Sequence, residues 1–162
     1  MRGTEIIARA LKHLGKLYRW GATGPDVFDC FGLVEGLARE FGHPFPREMS
    51  AAAGFATLAR VARPRPGNVI YWRNRAGRIF HAAILEKLED TIVRTIGAHG
   101  GDSTTTTDDR ARAQGACVKR KPFALASVAG FTVFPGQSYP GDLPSTYEPD
   151  PDPGDEPPEW WV

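Results

Sequence analysis

A chain of 162 residues with 41% hydrophobic residues is long enough to bury one core without disulfides or a structural metal. Its formal net charge of +1 excludes the strongly basic footprint of a nucleic-acid binder and the acidic surface of a cation carrier. Cys30 and Cys117 lie far apart in unlike surroundings, so both read as free thiols.

Residues 1 to 5 enter an amphipathic pattern directly, with no apolar signal-peptide core, and no later run is long and apolar enough to span a bilayer. The expectation is a chain that starts in the cytoplasm or has lost its secretion signal. A helix is expected over 4–14: Ile6, Ile7, Ala10, Leu11 and Leu14 share a face, Thr4 caps the start, Gly15 suits the left-handed end, and Arg9, Lys12 and His13 form the polar side. Residues 18–29 hold three chain breakers and several aromatics, as an ordered loop does. A second helix opens at Cys30, with Leu33, Val34, Leu37 and Phe41 inward, Glu35, Arg39 and Glu40 outward, and Gly42 past its end. A third follows Ser50 and runs through Phe55, Leu58 and Val61 until Pro64 and Pro66 stop it.

The period then changes. Residues 68–72, 78–85, 91–98, 116–121 and 129–134 are short β-branched or aromatic runs between turn residues, and they read as five antiparallel strands. Between the third and fourth lies a polar stretch, 100–109; Thr106 and Asp109 have the spacing of a capping box, but a solvated loop is the better expectation there. Helices first and strands afterwards mean an α+β domain with segregated layers: N-terminal helices packed on a five-stranded antiparallel sheet. Beyond Pro135 the chain is dominated by Pro, Asp and Glu, which divides it into a domain over 1–135 and an extended or disordered tail over 136–162.

A cysteine that opens a helix meets unpaired backbone N–H groups and the positive end of the helix dipole, both of which favour a thiolate. On its own such a cysteine is more often a small core residue. Here it stands within Tyr18-Arg-Trp-Gly-Ala-Thr-Gly-Pro-Asp-Val-Phe-Asp-Cys-Phe-Gly-Leu-Val34, which resembles the YxWGGxxPxxFDCSGLV signature of the NlpC/P60 cell-wall peptidases. Pro66-Gly-Asn-Val-Ile-Tyr-Trp72 is similar to that family's PGDLVFF strand, and His81-Ala-Ala-Ile-Leu85 to its HVGIY strand. The resemblance covers roughly the first two thirds of the chain. It implies a papain-like core in which Cys30 is the nucleophile and His81 the base, a substrate of peptidoglycan stem peptides cut beside a D-amino acid, and delivery by another machine such as a phage tail.

Where many relatives carry a second histidine on the next strand, this chain has Gly97. His99 lies two residues on and faces the same side, so it is a candidate to orient His81, with Asp102 a weaker substitute. The resemblance places Tyr18 beside the nucleophile as an oxyanion donor. Trp20 is a candidate to line the substrate groove, Asp29 caps the helix and opposes thiol ionisation, and Phe31 replaces the family's serine. His13, His43, His81 and His99 show no ligand-pair spacing, so neither metal nor cofactor is expected. Two other functions stay open: a noncatalytic scaffold module whose acidic, Trp-ended tail docks a partner, and a thiol acyltransferase using the same Cys30 and His81.

Overall fold

The computed structural model describes residues 1–138. Three helices come first: α1 (Gly3–Leu11), α2 (Cys30–Glu40) and α3 (Ala51–Thr57). The strands are β1 (Val69–Arg73), β2 (Ile79–Glu89), β3 (Ile92–His99), β4 (Cys117–Ala124) and β5 (Gly130–Thr132), with a short helix, α4 (Asp108–Gln114), between β3 and β4. They form one antiparallel sheet in the order β4-β3-β2-β1-β5. The α+β layering expected from the change of period is therefore the observed architecture.

Strand alternation gives the sheet two apolar faces. Val69, Tyr71, Ala82, Ile84, Ile96, Ala98 and Val118 face the helices and join Ile6, Phe31, Leu33, Val34 and Leu37 in the main core. Ile70, Trp72, Ala83, Leu85, Val93 and Phe131 form a second cluster on the opposite face, with Phe123, Leu125 and Val128 packed against it. Trp72 and Phe123 meet there with ring centroids 4.6 Å apart.

Several elements depart from the pattern reading. Helix α1 begins one residue early and stops at Leu11; the Glu5 carboxylate accepts from the Arg2 N–H at 2.6 Å, so Thr4 is not the cap. His13 is buried, not on a polar face, with Nε2 2.8 Å from Glu40 and its ring edge-on to Phe28. Helix α3 ends at Thr57 because the next residues pair with the sheet edge: Val61 N–H donates to Phe131 O at 3.0 Å and Val133 N–H to Ala59 O at 2.9 Å. A polar loop was expected through 109, but α4 forms. Thr107, not Thr106, caps it by accepting from Arg110 N–H at 3.2 Å, Asp108 and Asp109 suit its positive end, and Gly115 closes it with φ of 62°. Ser138 N–H donates to Met1 O at 2.7 Å. Residues 139–162, which carry the proposed acidic tail, lie outside the described residues.

Glu35 also departs from expectation. It is buried on α2, where Oε1 accepts from Met49 N–H at 2.7 Å, and burial pushes its carboxyl up from 4.5 to about 7. A raised folded-state value means that the neutral acid is preferred in the native state, so this stabilisation is present below 4.5 and is lost as pH rises through 7. Glu35→Gln keeps an acceptor for Met49 and removes the charge. Its Tm should exceed that of the wild type above pH 7, with the gap closing toward pH 5. Thermal melts across that range check this, and a gap that ignores pH would contradict it.

Candidate active site

The loop before α2 folds on itself: Arg19 N–H donates to Phe28 O (3.0 Å), Phe28 N–H to Leu17 O (3.2 Å) and Asp29 N–H to Ala22 O (2.8 Å). This delivers Asp29 to the N-cap, where Oδ1 accepts from Gly32 N–H at 2.6 Å and Oδ2 from Gly21 N–H at 2.9 Å. Asp29 is thereby committed to structure, as its position suggested. Cys30 follows as the first helical residue, buried, with its sulfur turned toward the sheet.

On the sheet side, register shifts between Trp72 and Arg73, because Trp72 lies opposite His81 while Arg73 lies opposite Ile79. The extra residue, Phe80, is 58% exposed, and such a bulge bends the strand and re-aims its neighbours. The β2–β3 ladder ends at Ile84 and Ile96, so His81, Ala82 and Ala83 belong to a stretch paired with β1 alone. There the Ala82 N–H is one of the backbone groups that favour the Cys30 thiolate, and Ala82 is the neighbour of His81 in sequence.

His81 Nε2 lies 2.9 Å from His99 Nδ1. The other ring nitrogen of His99 lies 3.2 Å from Thr95 Oγ1, whose hydroxyl donates to Lys121 O at 2.9 Å. Trp72 flanks His81 at 5.3 Å between centroids, and Phe123 flanks His99 at 5.4 Å, so the second-face aromatics clamp both imidazoles. His99 takes its place because Gly97 has no side chain: a Cβ there would lie 2.8 Å from Ala83 Cβ and 2.9 Å from His99 Nε2. The Asp102 carboxylate is turned away, accepting from the N–H and hydroxyl of Thr104 at 2.7 and 2.6 Å. Of the two candidates, His99 is the one that meets His81.

Burial pushes the Cys30 thiol up to about 11, and Asp29 adds to this, while N–H groups of Ala82, Phe31 and Cys30 itself pull the other way. Of the opposing influences at Cys30, burial and Asp29 outweigh the helix-head N–H groups. His81 is pushed down to about 4 by burial and then by the Lys121 charge. His99 is pushed down to about 3 by burial, then by His81 and Lys121. Near neutral pH the resting pair is a thiol beside an uncharged imidazole.

Tyr18 is buried beside this group, its ring against Gly101, and burial together with the thiol and Asp29 raises its pKa, so its hydroxyl stays protonated. Trp20 is 54% exposed, while its backbone N–H donates to Thr105 O at 2.9 Å. Phe31 packs into the core against Phe45, Tyr71 and the bare backbone of Gly54. Cys30 and Cys117 are both free. Sequence reasoning passed over Thr95 and the Trp72–Phe123 clamp. Period-2 alternation from His99 back through Gly97 to Thr95 was the available signal for the first; the clamp spans four strands and has no local signature.

Residues 15–108 match the family model described as the NlpC/P60 family. A probable endopeptidase p60 of Listeria monocytogenes is 37% identical over 79 residues, covering 49% of this chain and 16% of that protein. A probable endopeptidase of Corynebacterium glutamicum is 31% identical over 77 residues, 48% of this chain and 37% of its own. The chain thus spans well under half the length of these relatives. Among solved structures, the NlpC/p60 domain of the peptidoglycan hydrolase SagA superposes with a TM-score of 0.56 at 20% identity over 82% of this chain and 98% of that one. An NlpC/P60 family protein from Bacillus cereus gives 0.60 at 17% identity over 83% and 40%. With a family match over more than half its length, this chain belongs to the NlpC/P60 family.

Proposed function

We propose that this chain is a cysteine peptidase that cleaves amide bonds in peptidoglycan stem peptides, with Cys30 as nucleophile, His81 as general base and His99 as the residue that orients it. The observation that carries this reading is Cys30 as the first residue of α2, its thiolate favoured by the N–H of Ala82, the neighbour in sequence of His81, whose Nε2 lies 2.9 Å from His99 Nδ1. With Nε2 engaged, Nδ1 is the ring nitrogen left for the thiol.

In this mechanism His81 Nδ1 takes the thiol proton as sulfur bonds to the scissile carbonyl carbon. The carbonyl oxygen becomes an oxyanion held by N–H groups of Cys30 and Phe31, which have no intrahelical acceptor at the helix head, and by the protonated Tyr18 hydroxyl. Collapse expels the amine, which leaves with the proton from His81. Water then attacks the thioester, gives one proton to His81, and releases the acid while sulfur recovers that proton. Trp20, at the solvent side of the loop, contributes an exposed ring to the substrate groove.

The test is digestion of purified peptidoglycan, with new amino termini identified by mass spectrometry. Cleavage within the stem peptide is expected for the wild type and none for Cys30→Ala. No new termini between pH 5 and 9, or equal cleavage by Cys30→Ala, would overturn the proposal.

A further inference from the structure

We propose that Thr95 is a positioning residue that sets the direction of the hydrogen-bond chain behind the nucleophile, so that the lone pair of His81 is on Nδ1. This rests on the reading of Cys30 and His81 as nucleophile and base. A carbonyl oxygen only accepts, so at 2.9 Å the single hydroxyl proton of Thr95 goes to Lys121 O. Thr95 Oγ1 then has only lone pairs to offer His99 Nε2 at 3.2 Å, and that nitrogen must carry the hydrogen.

A neutral His99 has one ring hydrogen, so its Nδ1 is an acceptor. Across the 2.9 Å contact the proton therefore belongs to His81 Nε2, which leaves His81 Nδ1 unprotonated. Were the chain reversed, with His99 donating from Nδ1, the His81 hydrogen would sit on Nδ1, and that nitrogen would be unable to take the thiol proton. Thr95 is buried, so no bulk water competes for this decision. Gly97 completes the device: Thr95, Gly97 and His99 share one face of β3, and the bare backbone of Gly97 lets the imidazole of His99 lean back onto the hydroxyl.

Thr95→Val removes the hydroxyl at nearly constant shape, and Thr95→Ser restores it. With a defined stem peptide as substrate, kcat for Thr95→Val should fall by ~10- to 100-fold, the worth of one buried directing hydrogen bond. KM should stay within about twofold, and Thr95→Ser should recover most of kcat. Imidazole ¹⁵N NMR supplies a readout independent of turnover: the wild type should show His81 protonated at Nε2 only, and Thr95→Val a mixture of tautomers. The inference is overturned by His81 protonated at Nδ1 in the wild type, by an unchanged tautomer and kcat in Thr95→Val, or by Thr95→Ser behaving like the valine variant. If Thr95→Val does not fold, the wild-type spectrum and the serine variant still decide. Cys30→Ala and His81→Ala, assayed alongside, separate the two claims: activity in those variants would remove the peptidase mechanism, whereas their inactivity with an indifferent Thr95→Val would remove only the role of Thr95.

Discussion

In the proposed mechanism, replacing His81 with alanine is expected to lower kcat/KM by about ten-thousand-fold, because the Cys30 thiol would then have to ionise without a base near neutral pH. Burial and Asp29 hold Cys30 at about 11, so attack without a base would draw on a minute thiolate fraction. The same picture fixes the acid limb of the wild-type profile. Burial holds His81 at about 4, so the unprotonated imidazole survives as pH falls through the ordinary value of 6.5, and activity should be lost only well below it. The lowered value also couples to stability: the neutral ring is the one preferred in the native state, and that contribution is present above 6.5 and disappears as pH falls toward 4. Initial rates paired with circular dichroism at each pH distinguish the two losses. An acid limb at or above 6.5 in a folded enzyme, or a drop of less than tenfold in His81→Ala, would place the proton acceptor elsewhere.

Gly32→Ala should carry a large stability effect for a one-carbon change. A Cβ at position 32 would overlap the Ala22 carbonyl oxygen and lie 2.8 Å from Asp29 Oδ1. Neither is the free end of a flexible side chain. Ala22 O accepts from Asp29 N–H, and Asp29 Oδ1 is the cap of α2, so relief requires the nucleophile loop and the helix head to separate. Overpacking against fixed backbone together with loss of a cap is worth about 3 kcal/mol, or a fall in Tm on the order of 10 °C. Activity should fall with it, since the cap positions Cys30. Thermal unfolding measures this directly; a Tm within 2 °C of the wild type would show that the contact relaxes at little cost.

The parts of this arrangement legible before any coordinates were those whose cause is local. Helical spacing after Cys30, alternation around His81 and the turn residues between them placed Cys30 and His81 on adjoining layers, and the sheet has the five expected strands. What escaped was decided by partners distant in the chain. Glu35 reads as an outward residue until the segment reaching Met49 folds back over it. Residues 59–61 read as helix until β5 offers them a ladder. His99 lies one alternation beyond the expected histidine position, and nothing local reveals that Gly97 leaves room for its ring. Helix α4 is different in kind: the cap at Thr107, two acidic residues and Gly115 were all present in the sequence, and the polar composition outweighed them.

Both margins of the sheet are occupied. Gly15 N–H donates to Val118 O, Val118 N–H to Lys16 O and Tyr18 N–H to Ala116 O, so the approach to the nucleophile runs along β4 as a false extra strand; residues 59–61 do the same for β5. The rest of β4 carries Lys119, Arg120, Lys121 and Pro122, whose charges and missing N–H discourage further pairing. An extended peptide is therefore denied recognition by β-augmentation along those margins. For the proposed peptidase, affinity would then come from side chains and helix-head amides near Cys30 and not from strand pairing.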